Sequence, residues 1–255
     1  MIKTFIPEGF DALAEYRHIV SELKTRFCGP GVVLGMSGGK DSSVVAKLFR
    51  DALGEERVTG LVMPNGEMRD KDIAVEICAY LGIRCSVADI SGVYLRELEL
   101  LSAITDPTGA ALINILPRIR MTTLYAFAQS EGLRVAGTGN LSEIAVGYCT
   151  KWGDMASDFN PIAKYTCSEV IQLGRQSLPD WIIGRTPDDG LCGRADEDNL
   201  GFSYFELDRF LRTGEKSDRH GLIAKRIEGA RHKREPIPCV EPLFGQSAIA
   251  QIAEL

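Results

Sequence analysis

Gly35-Met36-Ser37-Gly38-Gly39-Lys40-Asp41-Ser42-Ser43 stands between an apolar run, Gly31 to Leu34, and an amphipathic run carrying Val44, Val45, Leu48 and Phe49. That order predicts a strand, a glycine-rich loop and a helix. Gly35, Gly38 and Gly39 can take positive φ and let backbone approach a ligand, while Ser37, Ser42 and Ser43 bring hydroxyl donors to the free N–H groups of the helix start. Together these features make a cradle for polyphosphate. The frame is neither G-x-x-x-x-G-K-[ST] nor G-x-G-x-x-G, so a different nucleotide chemistry is implied. Asp41 inside the cradle would repel a polyphosphate unless a divalent cation lay between them, and Mg²⁺ is inferred.

Outward from this loop, periodicity predicts a first helix over 9–27 and then three β-α units: strand 31–36 with helix 42–53, strand 57–63 with helix 69–81, and strand 83–88 with helix 91–103. A longer helix over 114–130 follows Asp106-Pro107, and a fourth strand, 133–137, runs into Thr138-Gly139-Asn140. Such alternation gives a parallel sheet, and ligands of open α/β sheets collect at the strand C-terminal ends, so the loops after strands one and four should face one crevice. Residues 148–161 lack periodicity and read as an active-site loop. Helix 166–176, a polar turn at 184–198 and helices over 203–212 and 217–232 complete the reading.

The 255 residues, 45% hydrophobic, suit one α/β domain over 1–255, with a sheet core over 28–180 and a helical part over 181–255. A net charge of −6 argues against a dedicated nucleic-acid binder. The first residues lack the charged and apolar regions of a leader, and no run is long enough to span a membrane, so a cytoplasmic protein with no membrane partner is expected. Seven cysteines, with no C-x-x-C pair, read as small and mostly buried residues in a reducing compartment.

The cradle resembles the S-G-G-x-D-S loop of the ATP pyrophosphatases, which cleave ATP between its α and β phosphates. Further along, Arg118-Ile119-Arg120-Met121, Gly137-Thr138-Gly139-Asn140-Leu141-Ser142-Glu143, Val146 to Asp154, Asp196 to Tyr204, and His232-Lys233-Arg234 with Pro236 look like successive signatures of the ammonia-dependent NAD synthetases. The resemblance covers nearly the whole chain. It implies a doubly wound parallel sheet of about five strands with helices on both faces, of the adenine nucleotide alpha hydrolase kind, and a ligase forming a carbon–nitrogen bond. The implied reaction is ATP-dependent amidation of nicotinic acid adenine dinucleotide to NAD by ammonia, through an acyl-adenylate, with release of pyrophosphate and AMP. Asp41 and Glu143 match the family's magnesium ligands. Gly35, Met36, Ser37, Gly38, Gly39, Lys40, Asp41, Ser42 and Thr138 match its ATP contacts, with Cys167 and Asp188 at two further ATP positions, and Arg118, Lys151, Asp158, His232 and Lys233 match contacts to the acid substrate. A homodimer is implied, and free ammonia is the expected donor because no stretch remains for a glutaminase domain.

Without the resemblance, the residues read first as ordinary structure: Glu143 as a capping or surface carboxylate, Arg118 and Arg120 as a solvated helix face, Lys151 as a loop charge, and His232-Lys233 as the basic end of a helix. Two positions depart from the family pattern: Cys167 stands where many members carry a lysine aimed at the ATP phosphates, and Asp188 replaces a phosphate-binding hydroxyl. Lys40 or Lys164 is expected to supply the missing charge. A relative that adenylates another carboxylate or a tRNA base, or a nucleotide-binding module without turnover, are the alternatives.

Overall fold

The computed structural model describes residues 3–66, 71–185 and 196–240. Helix α1, Ala12–Arg26, is capped by Asp11, whose side chain accepts from the N–H groups of Leu13 and Ala14. There follow β1 (Val32–Gly35), α2 (Lys40–Leu53), a 3₁₀ turn (Glu55–Arg57), β2 (Val58–Val62), α3 (Lys71–Leu81), β3 (Arg84–Val87), α4 (Ser91–Ser102), α5 (Gly109–Glu131) and β4 (Arg134–Val135). Five residues of loop, 136–140, then lead into the shorter helices: α6 (Leu141–Val146), α7 (Cys167–Arg175), α8 (Asp180–Ile183), α9 (Asp196–Leu200), α10 (Tyr204–Thr213), α11 (His220–Gly229) and α12 (Arg231–Arg234).

The strands are parallel in the order β3-β2-β1-β4, with Val33 of β1 facing Thr59 of β2 on one side and Val135 of β4 on the other. Side chains alternate across a strand, and the two faces bury different cores. Val32, Leu34, Val58 and Val62 enter a core with α1, α2, α3 and α7, whereas Val33, Leu61 and Val135 join Ile115, Leu124 and Ala128 of α5 on the opposite face. The alternating pattern predicted a parallel sheet, and helices cover both of its faces, as the resemblance implied. The described sheet has four strands rather than about five. β4 is only two residues long; on its outer edge Asp158 Oδ2 takes the Val135 N–H at 2.8 Å, and a further partner there is reduced to one bridge, Ala136 to Phe159.

Helix α2 is held by Val44, Val45, Leu48 and Phe49, all fully buried, and each such side chain contributes about 1.5–3 kcal/mol on burial. Phe49 meets Phe27 and Phe159 edge-on at 5.4 and 6.3 Å, tying α2 to the end of α1 and to the chain beyond β4. Two of the boundaries that differ from the sequence reading have a visible cause or break. Helix α5 begins five residues earlier than expected because Thr108 caps it through the Ala111 N–H, and the predicted helix 217–232 is two helices broken at Ala230.

Order β3-β2-β1-β4 means that the chain runs outward from β1 to β3 and then returns over the other face to β4. The reversal lies between β1 and β4, so the crevice opens where those two strands end.

Candidate functional site

β1 ends at Gly35, and the Met36 N–H still pairs with Leu61 O at 2.9 Å, so the chain leaves the sheet only at Ser37. Of the three glycines expected to need conformational freedom, Gly38 alone has positive φ, at 82°; Gly39 is the extended N-cap of α2. Ser37 Oγ accepts the Gly39 N–H at 3.2 Å and lies 3.1 Å from Ser42 Oγ. Ser42 and Ser43 donate back to Gly39 O at 3.2 and 2.7 Å, and Ser43 is wholly buried. Ser43 thus fastens the loop to the helix instead of facing a ligand. Helix α2 starts at Lys40, two residues before its expected start, which puts Lys40 and Asp41 in the first turn beside the free N–H groups.

The second strand-end loop meets the first. Beyond β4, Gly137 is crowded: a Cβ there would lie 2.6 Å from Ser157 Oγ. Thr138 follows in the same half-buried stretch, and Asn140 caps α6 reciprocally with Glu143, its Oδ1 taking the Glu143 N–H at 3.1 Å while Glu143 Oε2 takes the Asn140 N–H at 3.0 Å. The free end of the Asn140 amide, Nδ2, reaches Asp41 Oδ1 at 3.4 Å. Asp41 and Glu143 are thereby brought together from α2 and α6.

The electrostatics of the pair are pronounced. Burial first, and then Asp41, push the Glu143 carboxyl well above the usual carboxylate range, against Lys40 and the Asn140 N–H. Lys40 Nζ lies 2.7 Å from Asp41 Oδ2 with only 4% of its side chain exposed. Burial pulls its pKa down, but Asp41, Cys167 and Glu143 outweigh that and hold the ammonium well above its ordinary value. Two carboxylates and a buried ammonium converge at the positive end of a helix, an arrangement suited to polyphosphate and a hard divalent cation.

Cys167 is fully buried at the start of α7, where its N–H donates to Ser142 Oγ at 2.8 Å. Burial raises its thiol, and Lys40 opposes that rise, which places the ammonium in the field of the thiol. Lys164 is exposed, so of the two lysines named for the missing charge Lys40 is the one in the cradle. Asp188 lies outside the described residues.

Four of the five residues read as acid-substrate contacts are knitted together. Arg118 Nε donates to Lys151 O at 3.4 Å, Lys151 Nζ to His232 O at 2.6 Å, and Lys233 Nζ to Gly147 O and Cys149 O at 2.7 and 2.6 Å, while His232 Nδ1 stands 3.0 Å from Gly229 O. Asp158 stands apart at the sheet edge, with Oδ2 on the Val135 N–H and Oδ1 accepting from Tyr125 Oη at 3.3 Å. Lys151 and Lys233 line a cavity of about 270 Å³ with Trp152, Met155 and Ile237. Lys233 touches the end of α6, so this cavity and the carboxylate pair are joined through one short helix.

Sequence reasoning missed several contributors. Asn140 was visible as an Asn-x-x-Glu capping signal but was not assigned to the site. Tyr204, whose ring lies 6.0 Å from Lys40 Nζ, closes the run Asp196 to Tyr204 but was given no place in the site, and Asp208, which accepts from Ser142 Oγ at 2.5 Å and the Ser168 N–H at 2.8 Å, arrives from α10 with no local signal.

The NAD synthase family pattern matches residues 14–237. The curated NH(3)-dependent NAD(+) synthetase of Carboxydothermus hydrogenoformans is 38% identical over 218 residues, which cover 84% of this chain and 89% of that protein. Among solved structures, the NMN synthetase of Francisella tularensis superposes with a TM-score of 0.84 at 32% identity, covering 92% of this chain and all of that one. The NH3-dependent NAD synthetase of Campylobacter jejuni, solved with nitrate, superposes with a TM-score of 0.76 at 27% identity over 91% of this chain and all of that one. A pattern spanning 14–237 and a shared fold at this level of identity show that the chain belongs to the NAD synthase family.

Proposed function

We propose that this chain amidates nicotinic acid adenine dinucleotide with ammonia at the expense of ATP, yielding NAD, AMP and pyrophosphate. The observation that supports it most is the junction of the two strand-end loops, in which Asn140 links Asp41 to the helix that carries Glu143. A carboxylate oxygen of the acid attacks the α-phosphorus, the bond to the β-phosphate oxygen breaks, and pyrophosphate leaves. Ammonia then attacks the acyl carbon, AMP departs, and the nitrogen loses a proton.

The main obstacle is the approach of two polyanions, so charge neutralisation is the dominant demand. Asp41 and Glu143 would hold Mg²⁺, since two carboxylate oxygens plus phosphates and water suit that cation, and when bound it would neutralise phosphate charge. Residues 35–42 and Thr138 wrap the phosphates, with Lys40 supplying a buried positive charge. Arg118, Lys151, His232 and Lys233 hold the acid; Asp158 supports the floor of the crevice through β4. Helix α10 packs on α6 and α7, and α11 on α6, in keeping with one domain. No described helix is long and apolar enough to cross a membrane. A homodimer is supported by an apolar surface that stands exposed among the described residues: Val93, Leu100 and Ile104 are exposed at 56, 61 and 76%.

A second reading is amidation of the mononucleotide acid, favoured by the superposition on an NMN synthetase along that chain's entire length. One assay addresses both: pyrophosphate release is followed with ATP, Mg²⁺ and an ammonium salt, offering each acid in turn. NAD formation from the dinucleotide supports the first reading, a strong preference for the mononucleotide supports the second, and failure with both removes them together.

A further inference from the structure

Among the described residues Trp152 is the one non-glycine residue with positive φ, at 64°. For so bulky a side chain this is a real outlier. The turn around it fixes the conformation from both sides: the Thr150 N–H donates to Asp154 Oδ1 at 2.6 Å, the Gly153 N–H to Thr150 O at 2.9 Å, and Thr150 Oγ1 to Asn114 Oδ1 at 2.7 Å. Gly153 is pressed against α5, since a Cβ there would stand 3.0 Å from both Pro117 Cβ and Thr150 Cβ. Strained backbone persists where the surroundings over-determine it, and an observed outlier of this kind points to a use.

Packing is not that use, because the side chain of Trp152 is 61% exposed. The indole instead borders the cavity of about 270 Å³ beside Lys151 and Lys233, and the Lys151 ammonium stands 5.4 Å from its ring centroid. A rigid aromatic surface at the rim of a cavity with two cations combines a platform for a planar ring with charge for the phosphate attached to that ring.

We propose that Trp152 is the stacking platform for a heteroaromatic ring of the nucleotide acid. The proposal rests on the amidation reading for the identity of the ligand. Two rings could supply the shared chemistry, the pyridine that carries the reacting carboxylate and the adenine of the dinucleotide.

The chain has two tryptophans, and Trp181 sits on α8 against Tyr80, so Trp181→Phe leaves Trp152 as the fluorescent reporter. In that background the protein is titrated with the mononucleotide acid, the dinucleotide acid and AMP, with binding followed in parallel by calorimetry. Saturable quenching of the Trp152 emission is expected. Quenching by the mononucleotide assigns the pyridine ring; quenching by the dinucleotide and AMP but not the mononucleotide assigns adenine. Trp152→Ala should weaken the quenching ligand roughly 5- to 150-fold, the range of base–aromatic stacking, and Trp152→Phe should retain most of the affinity. Trp152→Gly should bind as weakly as Trp152→Ala yet melt about 2–4 °C higher, because glycine accepts the positive φ without strain. Ligand binding by calorimetry with unchanged emission and wild-type affinity in Trp152→Ala would overturn the platform and leave the amidation reading untouched. Quenching by AMP in a protein that amidates neither acid would do the reverse.

Discussion

Asn140 Nδ2 reaches Asp41 Oδ1 across 99 residues of sequence, at 3.4 Å, and so fixes how the strand-end loops of β1 and β4 face one another. The same side chain caps α6, which makes two roles separable by mutation. Asn140→Ala loses both and should cost about 1 kcal/mol of stability together with roughly 10- to 100-fold in kcat/KM. Asn140→Ser keeps a capping oxygen but is too short for Asp41, so it should fold normally and still lose activity. Denaturation and steady-state kinetics on both variants check this; wild-type kinetics in Asn140→Ser would remove the claim that the bridge matters.

Lys40 should carry ATP affinity. It is the buried ammonium of the cradle, 2.7 Å from Asp41 and within the field of the Cys167 thiol. Lys40→Ala is expected to raise the Michaelis constant for ATP by about tenfold or more, in line with loss of a charge-assisted contact. Lys164→Ala should have no such effect, since that side chain is exposed. Unchanged ATP kinetics in Lys40→Ala would end the idea that this lysine replaces a charge absent from position 167.

Asp208 should give stability an inverse dependence on pH. Burial raises its carboxyl to about 6, against hydrogen bonds from Ser142 and Ser168 and with a further push from Glu169. The folded state then binds the proton more tightly than the unfolded chain does. Its contribution is full below about pH 4, falls as pH rises through about 6 and is level above, a change on the order of 3 kcal/mol. Asp208→Asn removes the proton while leaving an acceptor. The stability difference between wild type and variant, from urea midpoints between pH 4 and 7, should decline across that window; a flat difference would contradict the assignment.

The sheet and its first loop were legible because their signals are local. The glycine spacing at 35–39 and the apolar run before it specify strand, loop and helix within a dozen residues, and the β-α order follows from periodicity. The short helices were less legible. α6 spans six residues and carries its signal in the Asn140–Glu143 cap instead of in an apolar stripe, and the break at Ala230 depends on tertiary packing, since a Cβ at Gly147 would lie 2.4 Å from Ala230 Cβ. Cys28 and Cys239, expected within a mostly buried set, are exposed: Cys28 lies just past the end of α1 and Cys239 in the irregular stretch after α12, where an apolar neighbour does not guarantee burial. The lower half of the site is assembled by Tyr204 and Asp208 from α10, and no spacing in the sequence connects them to Lys40 or Ser142.

An apolar surface formed by α4 and the turn after it yields an assembly prediction. Tyr94, Leu98 and Leu101 turn toward the sheet, whereas Val93, Leu100 and Ile104 are left in solvent on the other side. Leu100→Glu should convert a dimer to a monomer without lowering the melting temperature of the isolated chain, as read by sedimentation. If the wild type already sediments as a monomer, this face serves something other than self-association.

Gly60 connects the sheet to the cradle. It lies in β2 where a Cβ would stand 2.7 Å from Cys78 Sγ and 2.8 Å from Met36 Cγ, contacts too short to survive without movement. Gly60→Ala should therefore destabilise by about 1–3 kcal/mol through overpacking. It should also weaken ATP, because Met36 is the last residue held to the sheet before the loop and must shift. Cys78→Ala removes the sulfur and with it one of the two clashes, so the double variant should recover stability beyond the sum of the single effects. ATP affinity should recover only as far as Met36 returns to its place. A double variant that regains stability but not ATP affinity would locate the remaining clash at Met36, whereas strictly additive losses would show that Gly60 and Cys78 do not share the strain that the close approach predicts.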